Sequence, residues 1–466
     1  MIEVILIVDS SSAGSFDVAK LVSIYCYNSS IKCHLVCQTE SLEKSRDILK
    51  ALSSISKVCS LNLATPVTLL GVLRARCSNI RTPSQDHPEG NLAAVINIVG
   101  RERVDCRAVD SWDCSYIEYE VEKSHGECMV DIVGWIGLLV KKHDPLIKAV
   151  GVIMSIKRIR KLSAKEFLPL VPVVPELHVI FIPIRVDAEP KSALKNLDAL
   201  LIKYSDFLVG SVDWTASLQF SDQLQKILEY NEQNSHVPYI DGLPTIHPVL
   251  DRKAMYQLLD TISKDARNKS ALPVRAAGWD LIESTGTHSG KRLIPCIVKT
   301  RIACGVSESH HMGLILKGDG LQECDVPMPW VLQEYINHRG MLWKVYVAHD
   351  SVMFEQRNSL PNIVTTESDS SVPSCIEFDS LKSLPTRLPW LEGTQDTPGK
   401  SVSSILTESF FKRLGNIVRS HVKLSVFGFD VVFDYEAGEA VIIDLNYLPS
   451  FGNIDNAAPD FIKAFV

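Results

Sequence analysis

Two apolar strands near the C-terminus, each carrying one aspartate, constrain this sequence most strongly. Residues 425–433 and 439–445 are typical of β-strands because Val, Ile and Phe dominate both, and Asp434–Gly438 between them is typical of a turn. A carboxylate inside such a strand costs free energy unless a cation or strong donors compensate its charge. The pattern therefore predicts an antiparallel pair that holds a positively charged group.

The polar side chains of this pair are candidate metal ligands. Asp430 lies in the first strand, whereas Asp444 and Asn446 lie in the second, where strand alternation puts them on one face. Pairing of the two strands can bring Asp430 beside them. Three oxygen ligands on rigid strands suit Mg²⁺, which takes few carboxylates and shares phosphate oxygens. Spacing alone leaves open the alternative that these are ordinary turn or ladder residues.

Length and charge limit the classes of function. The chain has 466 residues, enough for about three domains of ordinary size. Its net charge of -7 argues against a nucleic-acid-binding protein, so a polyanionic substrate would need a local basic patch. Such a patch follows the apolar strand that starts at Ala149, and it consists of Lys157, Arg158, Arg160 and Lys161. The alternative interpretation is the solvated start of a helix.

Cysteine usage and hydropathy favour a reducing compartment. Of the 12 cysteines none forms a CxxC pair, and no Cys/His spacing matches a zinc site. The run MIEVILIVDSS lacks a basic n-region and is too short for a signal peptide. No stretch of about 18 apolar residues offers a membrane span. We therefore expect reduced thiols, the cytosol or nucleus as the location, and no membrane partner.

The order of predicted elements is that of an α/β protein. In residues 1–147, strands at Val4–Val8 and Leu92–Val99 alternate with helices at 16–27 and 129–140, which favours a parallel sheet. Apolar periodicity predicts helices at 251–262 and 405–424. A segment rich in Ser, Pro, Thr and Asp predicts a mobile loop at 366–402. Further strands are predicted at 149–155, 178–184, 197–202, 293–300, 330–336, 342–348 and 351–356.

Three separated motifs, in a fixed order, resemble those of a known family. They are VKTRIACGVSESHHM at 298–312, LQEYINHRGMLWKVYVAHDSVMFEQRNSL at 332–360, and FGFDVV…VIIDLNYLPSF at 427–451. Together they are similar to the inositol tris/tetrakisphosphate kinases (inositol 1,3,4-trisphosphate 5/6-kinases), which are ATP-grasp enzymes. The likeness spans about 149–451, and the long N-terminal extension resembles that of an outlying plant form.

The resemblance implies a function and a domain plan. It implies an ATP-grasp kinase that transfers the γ-phosphate of ATP to a hydroxyl of inositol tris- or tetrakisphosphates, in the metabolism that leads to phytate. Mg²⁺ would be the cofactor, ATP/ADP and inositol polyphosphates the ligands, and we expect a monomer. The plan comprises an extra N-terminal α/β domain at 1–147, an inositol phosphate-binding subdomain at 148–245, a central ATP-grasp subdomain at 246–335 and a C-terminal subdomain with the metal site at 336–466.

The resemblance also implies nucleotide-binding residues. Lys299 matches the lysine that touches the ATP phosphates, a position that suits a point charge. Arg252, in the sequence LDR at the start of a helix, matches a second nucleotide contact, and Ser359 matches a position close to the nucleotide. The adenine-reading hinge corresponds to Gln333, Glu334, Tyr335 and Ile336.

On the substrate side the resemblance implies a set of basic and polar contacts. The metal ligands match Asp430, Asp444 and Asn446, and the family's flexible lid matches the loop Ala303–His311. Lys299 and His310 would offset charge on the γ-phosphoryl group, with Asp444 as the third catalytic residue. The inositol phosphate contacts match Arg158, Lys203, His310, Lys344, Arg357 and Asn446.

Departures from the family pattern leave alternatives open. Relatives carry a histidine where this chain has Ile202, Asp or His at Cys304, lysine at Glu308 and glycine at Ser450. The changes make the substrate side less basic, so the preferred isomer stays open. Two other functions stay open as well, an ATP-grasp ligase and a catalytically weak nucleotide-binding scaffold. The basic run at 157–161 favours a phosphorylated substrate, and the metal trio favours catalysis.

The N-terminal run ILIVDSS resembles the first motif of haloacid-dehalogenase-like folds. In that motif a strand ends in an aspartate nucleophile, and a second acid follows two residues later. Asp9 is present but Ser11 stands at the second position, so the resemblance implies a degenerate domain without phosphatase activity. We favour the other interpretation, a doubly wound domain used for packing or partner binding.

Overall fold

The computed structural model describes residues 2–9, 31–38, 59–64, 91–99, 115–120, 125–170, 176–209, 219–284, 293–363, 371–382, 384–385, 405–452 and 454–465. These residues form two compact units. The first unit draws on residues 1–202, 222–240 and 465–466, and the second on 203–221 and 241–464. No described helix has the length and apolar character that a membrane crossing requires.

The first unit begins with a five-stranded parallel sheet in the order β3-β2-β1-β4-β5. The predicted strands Val4–Val8 and Leu92–Val99 correspond to β1 and β4, and the predicted parallel pairing is confirmed. The helix predicted at 16–27 lies outside the described residues, and the haloacid-dehalogenase-like assignment stays a prediction. The strands are β1 (Ile2–Asp9), β2 (Ile31–Gln38), β3 (Cys59–Ala64), β4 (Asn91–Val99) and β5 (Ser115–Glu120).

A second parallel sheet, in the order β7-β6-β8-β9, completes the first unit. Its three longer strands are buried along almost their whole length, as expected when a parallel sheet is covered on both faces. The strands are β6 (Lys148–Ile153), β7 (Val179–Pro183), β8 (Ala199–Ile202) and β9 (Tyr239–Ile240). The helices are α1 (His125–His143), α2 (Ile156–Ser163), α3 (Pro190–Ala193) and α4 (Asp222–Tyr230).

The second unit contains an antiparallel sheet in the order β11-β14-β12-β13-β17. Its strands at 296–300 and 330–334 confirm two predicted strands, each shorter than predicted by two or three residues at one end. The strands are β11 (Trp279–Ile282), β12 (Cys296–Thr300), β13 (His311–Ile315), β14 (Trp330–Glu334) and β17 (Cys375–Asp379).

Strand β17 corrects the prediction of an unbroken mobile loop at 366–402. Residues 375–379 pair antiparallel with β13 over five positions. The side chains of Ile376 and Phe378 are two residues apart and lie on one face of the strand. They pack against a cluster that contains Leu314 and Leu316. The strand escaped sequence analysis because it is short and Ser/Pro-rich segments flank it, whereas its pairing partner is distant in sequence.

The second sheet of this unit has the order β10-β19-β18-β15-β16. The predicted antiparallel pair is confirmed, with β18 and β19 joined by a turn at 435–438. The strands predicted at 342–348 and 351–356 are confirmed too, and they pair antiparallel on either side of His349-Asp350. The strands are β10 (Val274–Ala276), β15 (Met341–Ala348), β16 (Ser351–Asn358), β18 (Val426–Asp434) and β19 (Glu439–Tyr447).

Two long helices pack on this second sheet. The first contains the predicted helical segment 251–262, and its residues Met255, Leu259 and Ile262 are buried. The second approaches β16 closely at Gly415, where a Cβ would lie 2.8 Å from a methyl carbon of Val352. The helices of the second unit are α5 (Leu243–Leu250), α6 (Arg252–Ser270), α7 (Glu408–Val422) and α8 (Ala458–Lys463).

Candidate active site

A row of charged side chains crosses three neighbouring strands of the second unit. Lys344 on β15 stands opposite Asp430 on β18, and Asp430 stands opposite Asp444 on β19. The ammonium of Lys344 lies 2.7 and 3.0 Å from the two carboxylate oxygens of Asp430. We call these three residues the charged row. The register of β18 against β19 shifts directly after Asp430, an irregularity of the kind that sheets use to aim side chains at a site.

The two carboxylates of the charged row are held close together with limited access to water. The side chain of Asp430 is only 13% exposed. Burial raises the pKa of Asp430, and the charge of Asp444 raises it further, while Lys344 opposes both effects. Asn446 donates a hydrogen bond of 3.0 Å from its amide nitrogen to Asp444. A cluster of this kind favours any ligand that adds positive charge.

Lys299 is buried on β12, and the charges of Asp430 and Asp444 act on its ammonium. Lys299 is only 7% exposed. Burial lowers the pKa of Lys299 to about 8, although the negative charges of Asp444 and Asp430 act in the opposite direction. The ammonium is therefore largely charged at neutral pH in a poorly hydrated environment, where an anionic ligand would interact with it strongly.

Arg252, at the start of α6, holds the end of β12 and the segment that follows it by hydrogen bonds. Its guanidinium donates to the backbone oxygens of Thr300 at 2.6 Å, Ile302 at 2.7 Å and Ser309 at 3.0 Å. Arg252 is only 3% exposed, and burial lowers its pKa, although the charge of Asp444 raises it. The residue predicted to contact nucleotide thus also positions the loop Ala303–His311, which was predicted to act as a lid.

The preceding residue anchors the same junction. Asp251 caps α6 by accepting a hydrogen bond of 2.9 Å from the amide of Lys253. It also forms an ion pair of 2.8 Å with Arg301. Backbone bonds from Arg252 to Arg301 and from Ala303 to Leu250 complete the junction. The N-terminus of α6 and the end of β12 are therefore fixed together.

The predicted adenine hinge lies at the end of β14, and its side chains are held by partners that sequence analysis missed. Gln333 accepts a hydrogen bond of 2.5 Å from the buried hydroxyl of Tyr256, which also lies 3.1 Å from the backbone oxygen of Ile443. Glu334 forms a two-point ion pair with Arg275. The side chains of Gln333 and Glu334 are therefore engaged within the protein, and the role of this segment as an adenine hinge stays a prediction.

The remaining residues predicted to lie near the nucleotide are Tyr335 and Ile336, which complete the hinge, and Ser359. The hydroxyl of Tyr335 donates to the backbone oxygen of Pro361 at 2.5 Å, and burial raises its pKa. Ile336 is buried. Ser359 follows β16 and its amide donates to the oxygen of Gly340 at 2.8 Å. The segment after β14 and the segment after β16 are thus tied together.

Two predicted substrate contacts of the second unit lie in polar environments. His310 ends the short turn Ser307–His310, and its ring lies 3.3 Å from the hydroxyl of Ser380. Burial and the charge of Arg252 lower the pKa of His310, so its imidazole is neutral at pH 7. Lys203 is buried, donates to the backbone oxygen of Tyr447 and lies 5.1 Å from the centre of that ring.

The other two predicted substrate contacts have different surroundings. Arg357 on β16 pairs with Glu355 at 2.5 Å and approaches the hydroxyl of Tyr346 at 3.4 Å. The spacing of two residues along a strand could have revealed the Glu355 partner, because it places both side chains on one face. Arg158 belongs to the first unit, where it is half-buried on α2 while Lys157, Arg160 and Lys161 are exposed.

The structure brings together six predicted residues of the second unit. The charged row, Asn446, Lys299 and Arg252 form one electrostatically linked group, since Asp444 affects the titration of Lys299, Arg252 and His310. Tyr256 is a missed member whose titration also responds to Asp444. Its place beside Met255 on the buried side of a helix was the signal that could have identified it. Such a group, with both signs of charge on rigid strands, can bind a metal together with a polyphosphate.

The C-terminal part of the chain is similar to known proteins. Residues 270–466 match the family model described as the inositol 1,3,4-trisphosphate 5/6-kinase ATP-grasp domain. The inositol-tetrakisphosphate 1-kinase 6 of Oryza sativa subsp. indica is 32% identical over 328 residues, which cover 66% of this chain and 58% of the relative. The inositol-tetrakisphosphate 1-kinase of Xenopus laevis is 27% identical over 329 residues, which cover 68% of this chain and 78% of the relative. This chain thus spans less than two thirds of the rice relative.

Replacing Arg252 with lysine should loosen the junction between α6 and β12. Lysine keeps the charge but cannot reach three carbonyl oxygens at once, and we expect a loss of roughly 2 kcal/mol of local stability. The backbone amides of Ala303 and Ser309 should therefore exchange with deuterium faster. Arg267→Lys, in the same helix at a side chain that is 47% exposed, is the matched control. Unchanged exchange at both amides in Arg252→Lys would contradict the assignment.

Proposed function

We propose that this chain is a kinase that phosphorylates inositol polyphosphates, because its residues 270–466 match the model of the inositol 1,3,4-trisphosphate 5/6-kinase ATP-grasp domain. It would transfer the γ-phosphoryl group of ATP to a ring hydroxyl of a tris- or tetrakisphosphate. The observation that carries this proposal is the charged row, in which Lys344, Asp430 and Asp444 stand side by side on three strands. The relatives' names support a tetrakisphosphate as one substrate.

Mg²⁺ fits the donor set at the charged row. Asp430 and Asp444 offer carboxylate oxygens, and Asn446 offers an amide oxygen because its nitrogen donates to Asp444. The raised pKa of Asp430 reflects a buried carboxylate beside a second negative charge, which a cation would relieve. When bound, Mg²⁺ would compensate the negative charge of the ATP phosphates during transfer.

Lys299 and Lys344 have separate tasks in this proposal. Lys299 supplies a poorly hydrated ammonium to the ATP phosphates, where a point charge is most effective. Lys344 is now neutralised by Asp430. If a bound cation compensated the charge of Asp430, the ammonium of Lys344 would be available to a phosphate of either substrate. The charged row would thus exchange one ion pair for two interactions with ligands.

The transfer step needs positioning more than proton chemistry. The oxygen of a ring hydroxyl forms a bond to the γ-phosphorus while the bond to the β,γ-bridging oxygen breaks, and ADP leaves. The transition state is loose, so charge compensation and alignment carry most of the catalysis. Because the pKa of His310 is lowered, its neutral ring would donate a hydrogen bond to the γ-phosphoryl group rather than a full charge. With ADP present the same step can run in reverse.

Recognition of the inositol phosphates would rest on the basic side chains Lys203, Lys344 and Arg357 of the second unit. Arg158, in the first unit, is proposed as a further contact from the resemblance alone. The position of Cys304, where relatives carry Asp or His, lies close enough to Lys203 and Arg252 for their charges to lower its pKa, although burial raises it more. This substitution changes the polarity of the lid and bears on which isomer is preferred.

Product analysis tests the proposal directly. Purified protein is incubated with ATP, Mg²⁺ and a panel of inositol tris-, tetrakis- and pentakisphosphates, and the products are separated by charge. The wild type should form a more highly phosphorylated product from at least one isomer. Asp444→Asn should form it at least about 100-fold more slowly, since charge compensation at the phosphates is lost.

The control for this assay is Asp455→Asn, which changes an exposed aspartate outside the charged row. It should retain full activity, and equal melting temperatures of both variants would exclude unfolding as the cause. Formation of no product from any isomer by a folded, ADP-binding wild type would overturn the proposed kinase. Full activity of Asp444→Asn would overturn the assignment of the charged row.

The pKa of Lys299 predicts an alkaline decline of activity. Above the value of about 8, the free protein loses the ammonium, and the neutral amine attracts phosphates weakly. Because kcat/KM reports ionisations of the free enzyme, kcat/KM for ATP should fall by up to about tenfold for each pH unit above that value.

Lys299→Arg is the discriminating variant for this prediction. Its guanidinium stays charged at every accessible pH, so kcat/KM for ATP should stay level where the wild type declines. Binding of ADP at neutral pH shows beforehand that the variant is intact. The same alkaline decline in Lys299→Arg would assign the titration to another group.

A further inference from the structure

Two cysteines and a glutamate that are far apart in sequence meet on the sheet that carries β13 and β17. Ligand atoms of Cys324, Cys375 and Glu377 all lie within 4.8 Å of one another. The two thiols are within hydrogen-bonding reach of each other. We call these three residues the thiol cluster. It lies outside the charged row, and the proposed phosphoryl transfer assigns it no role.

Strand geometry explains why the thiol cluster forms. Cys375 and Glu377 are two residues apart on β17, so their side chains lie on the same face of the sheet. Gly313 on β13 stands opposite Glu377. Cys324 follows the turn Gly318–Leu321 along the chain, and its side chain meets those of Cys375 and Glu377 here. The site could not be found from spacing because its two thiols belong to different loops and strands.

A glycine provides the space in which the two sulfurs meet. A Cβ at Gly313 would lie 2.8 Å from the sulfur of Cys324 and 3.6 Å from that of Cys375. The first distance is too short for a side chain, so any other residue at 313 would push Cys324 away. The absence of a side chain at Gly313 thus keeps the two thiols together.

The glutamate of the cluster is oriented by its own hydrogen bonds. One oxygen of Glu377 lies 2.9 Å from the ring nitrogen Nε2 of His311, which is on the same face of β13. The other oxygen accepts a bond of 2.5 Å from the backbone amide of Asp325, the residue after Cys324. A carboxylate held by a histidine and a backbone amide is the usual support of a metal ligand.

A core-filling role explains only part of this arrangement. Cys324 is 8% exposed and packs with Cys296 in an apolar cluster, as a small hydrophobic residue would. Cys375 packs against the same cluster but is partly exposed, and Glu377 is exposed, so an apolar core does not account for a carboxylate beside two thiols. Two soft sulfur donors with one carboxylate and a nearby imidazole are instead the ligand types that Zn²⁺ prefers.

We propose that Cys324, Cys375 and Glu377 form a zinc-binding site, with His311 as the residue that positions the Glu377 carboxylate. Both thiols release their protons to solvent as the thiolates bind the metal. The exposure of Glu377 and the partial exposure of Cys375 give the ion a path from solvent.

The site would fix β17 at a point that matters to the proposed active site. Directly after β17, Ser380 donates its amide to the backbone oxygen of His310 at 2.9 Å and offers its hydroxyl to the His310 ring. A metal that joins β17 to the segment containing Cys324 therefore holds the strand whose end orients His310. The site is structural, and its occupancy can be measured without any assay of phosphoryl transfer.

Metal titration of the full chain tests this proposal. The protein is reduced, stripped with a chelator and titrated with Co²⁺, whose thiolate charge-transfer absorption reports cysteine ligands. The wild type should bind an ion with this absorption that is displaced by Zn²⁺. Cys375→Ser and Cys324→Ser should each lose that ion, whereas Cys304→Ser should retain it. His311→Ala should bind Co²⁺ about 10- to 100-fold more weakly, as expected when the partner of a ligand is removed.

Thermal unfolding separates loss of the site from loss of the fold. In chelator, wild type and Cys375→Ser should melt at similar temperatures, and added Zn²⁺ should raise the melting temperature of the wild type alone. Identical Co²⁺ spectra and stoichiometry in wild type and Cys375→Ser would overturn the proposal. Recovery of Cys324 and Cys375 as a disulfide that excludes metal from freshly purified protein would overturn it as well.

Discussion

The ion pair between Lys344 and Asp430 is the interaction on which the second unit depends. It joins β15 to β18 in the middle of a sheet, and Asp444 on β19 extends it by a second negative charge. Removing one partner of such a pair would leave an uncompensated charge in a poorly hydrated place, which costs several kcal/mol. The apolar strands around it exclude water, which strengthens the interactions between the charges. The balance of these charges therefore contributes to the stability of the sheet, and a ligand can replace one partner of the ion pair.

A second constraint comes from the buried polar contacts around α6. Arg252 satisfies the backbone oxygens at the end of β12, and Tyr256, one turn further, links Gln333 on β14 with the backbone oxygen of Ile443 on β19. One helix thus fixes the ends of strands from both sheets of the second unit. Such contacts preorganise a site because the side chains need little rearrangement before a ligand arrives.

Sequence analysis predicted the elements whose signals are local. The pair β18–β19 was predictable because apolar runs flank an unambiguous turn, and α6 was predictable because Met255, Leu259 and Ile262 repeat with helical spacing. The strand Cys375–Asp379 was missed because its stability comes from pairing with β13 rather than from its own composition. The family motifs carried the assignment of Lys299 and Asp430, which spacing alone left open. The carbonyl contacts of Arg252 and the meeting of Cys324 with Cys375 depend on tertiary structure, so no local pattern could reveal them.

The central claim is that the carboxylates of the charged row hold a divalent cation together with the nucleotide. The most direct measurement is calorimetric binding of ADP with and without Mg²⁺, by wild type and by Asp430→Asn. The account predicts that Mg²⁺ tightens ADP binding to the wild type and has little effect on the variant. Equal enhancement by Mg²⁺ in both proteins would contradict it, because the metal would then bind elsewhere.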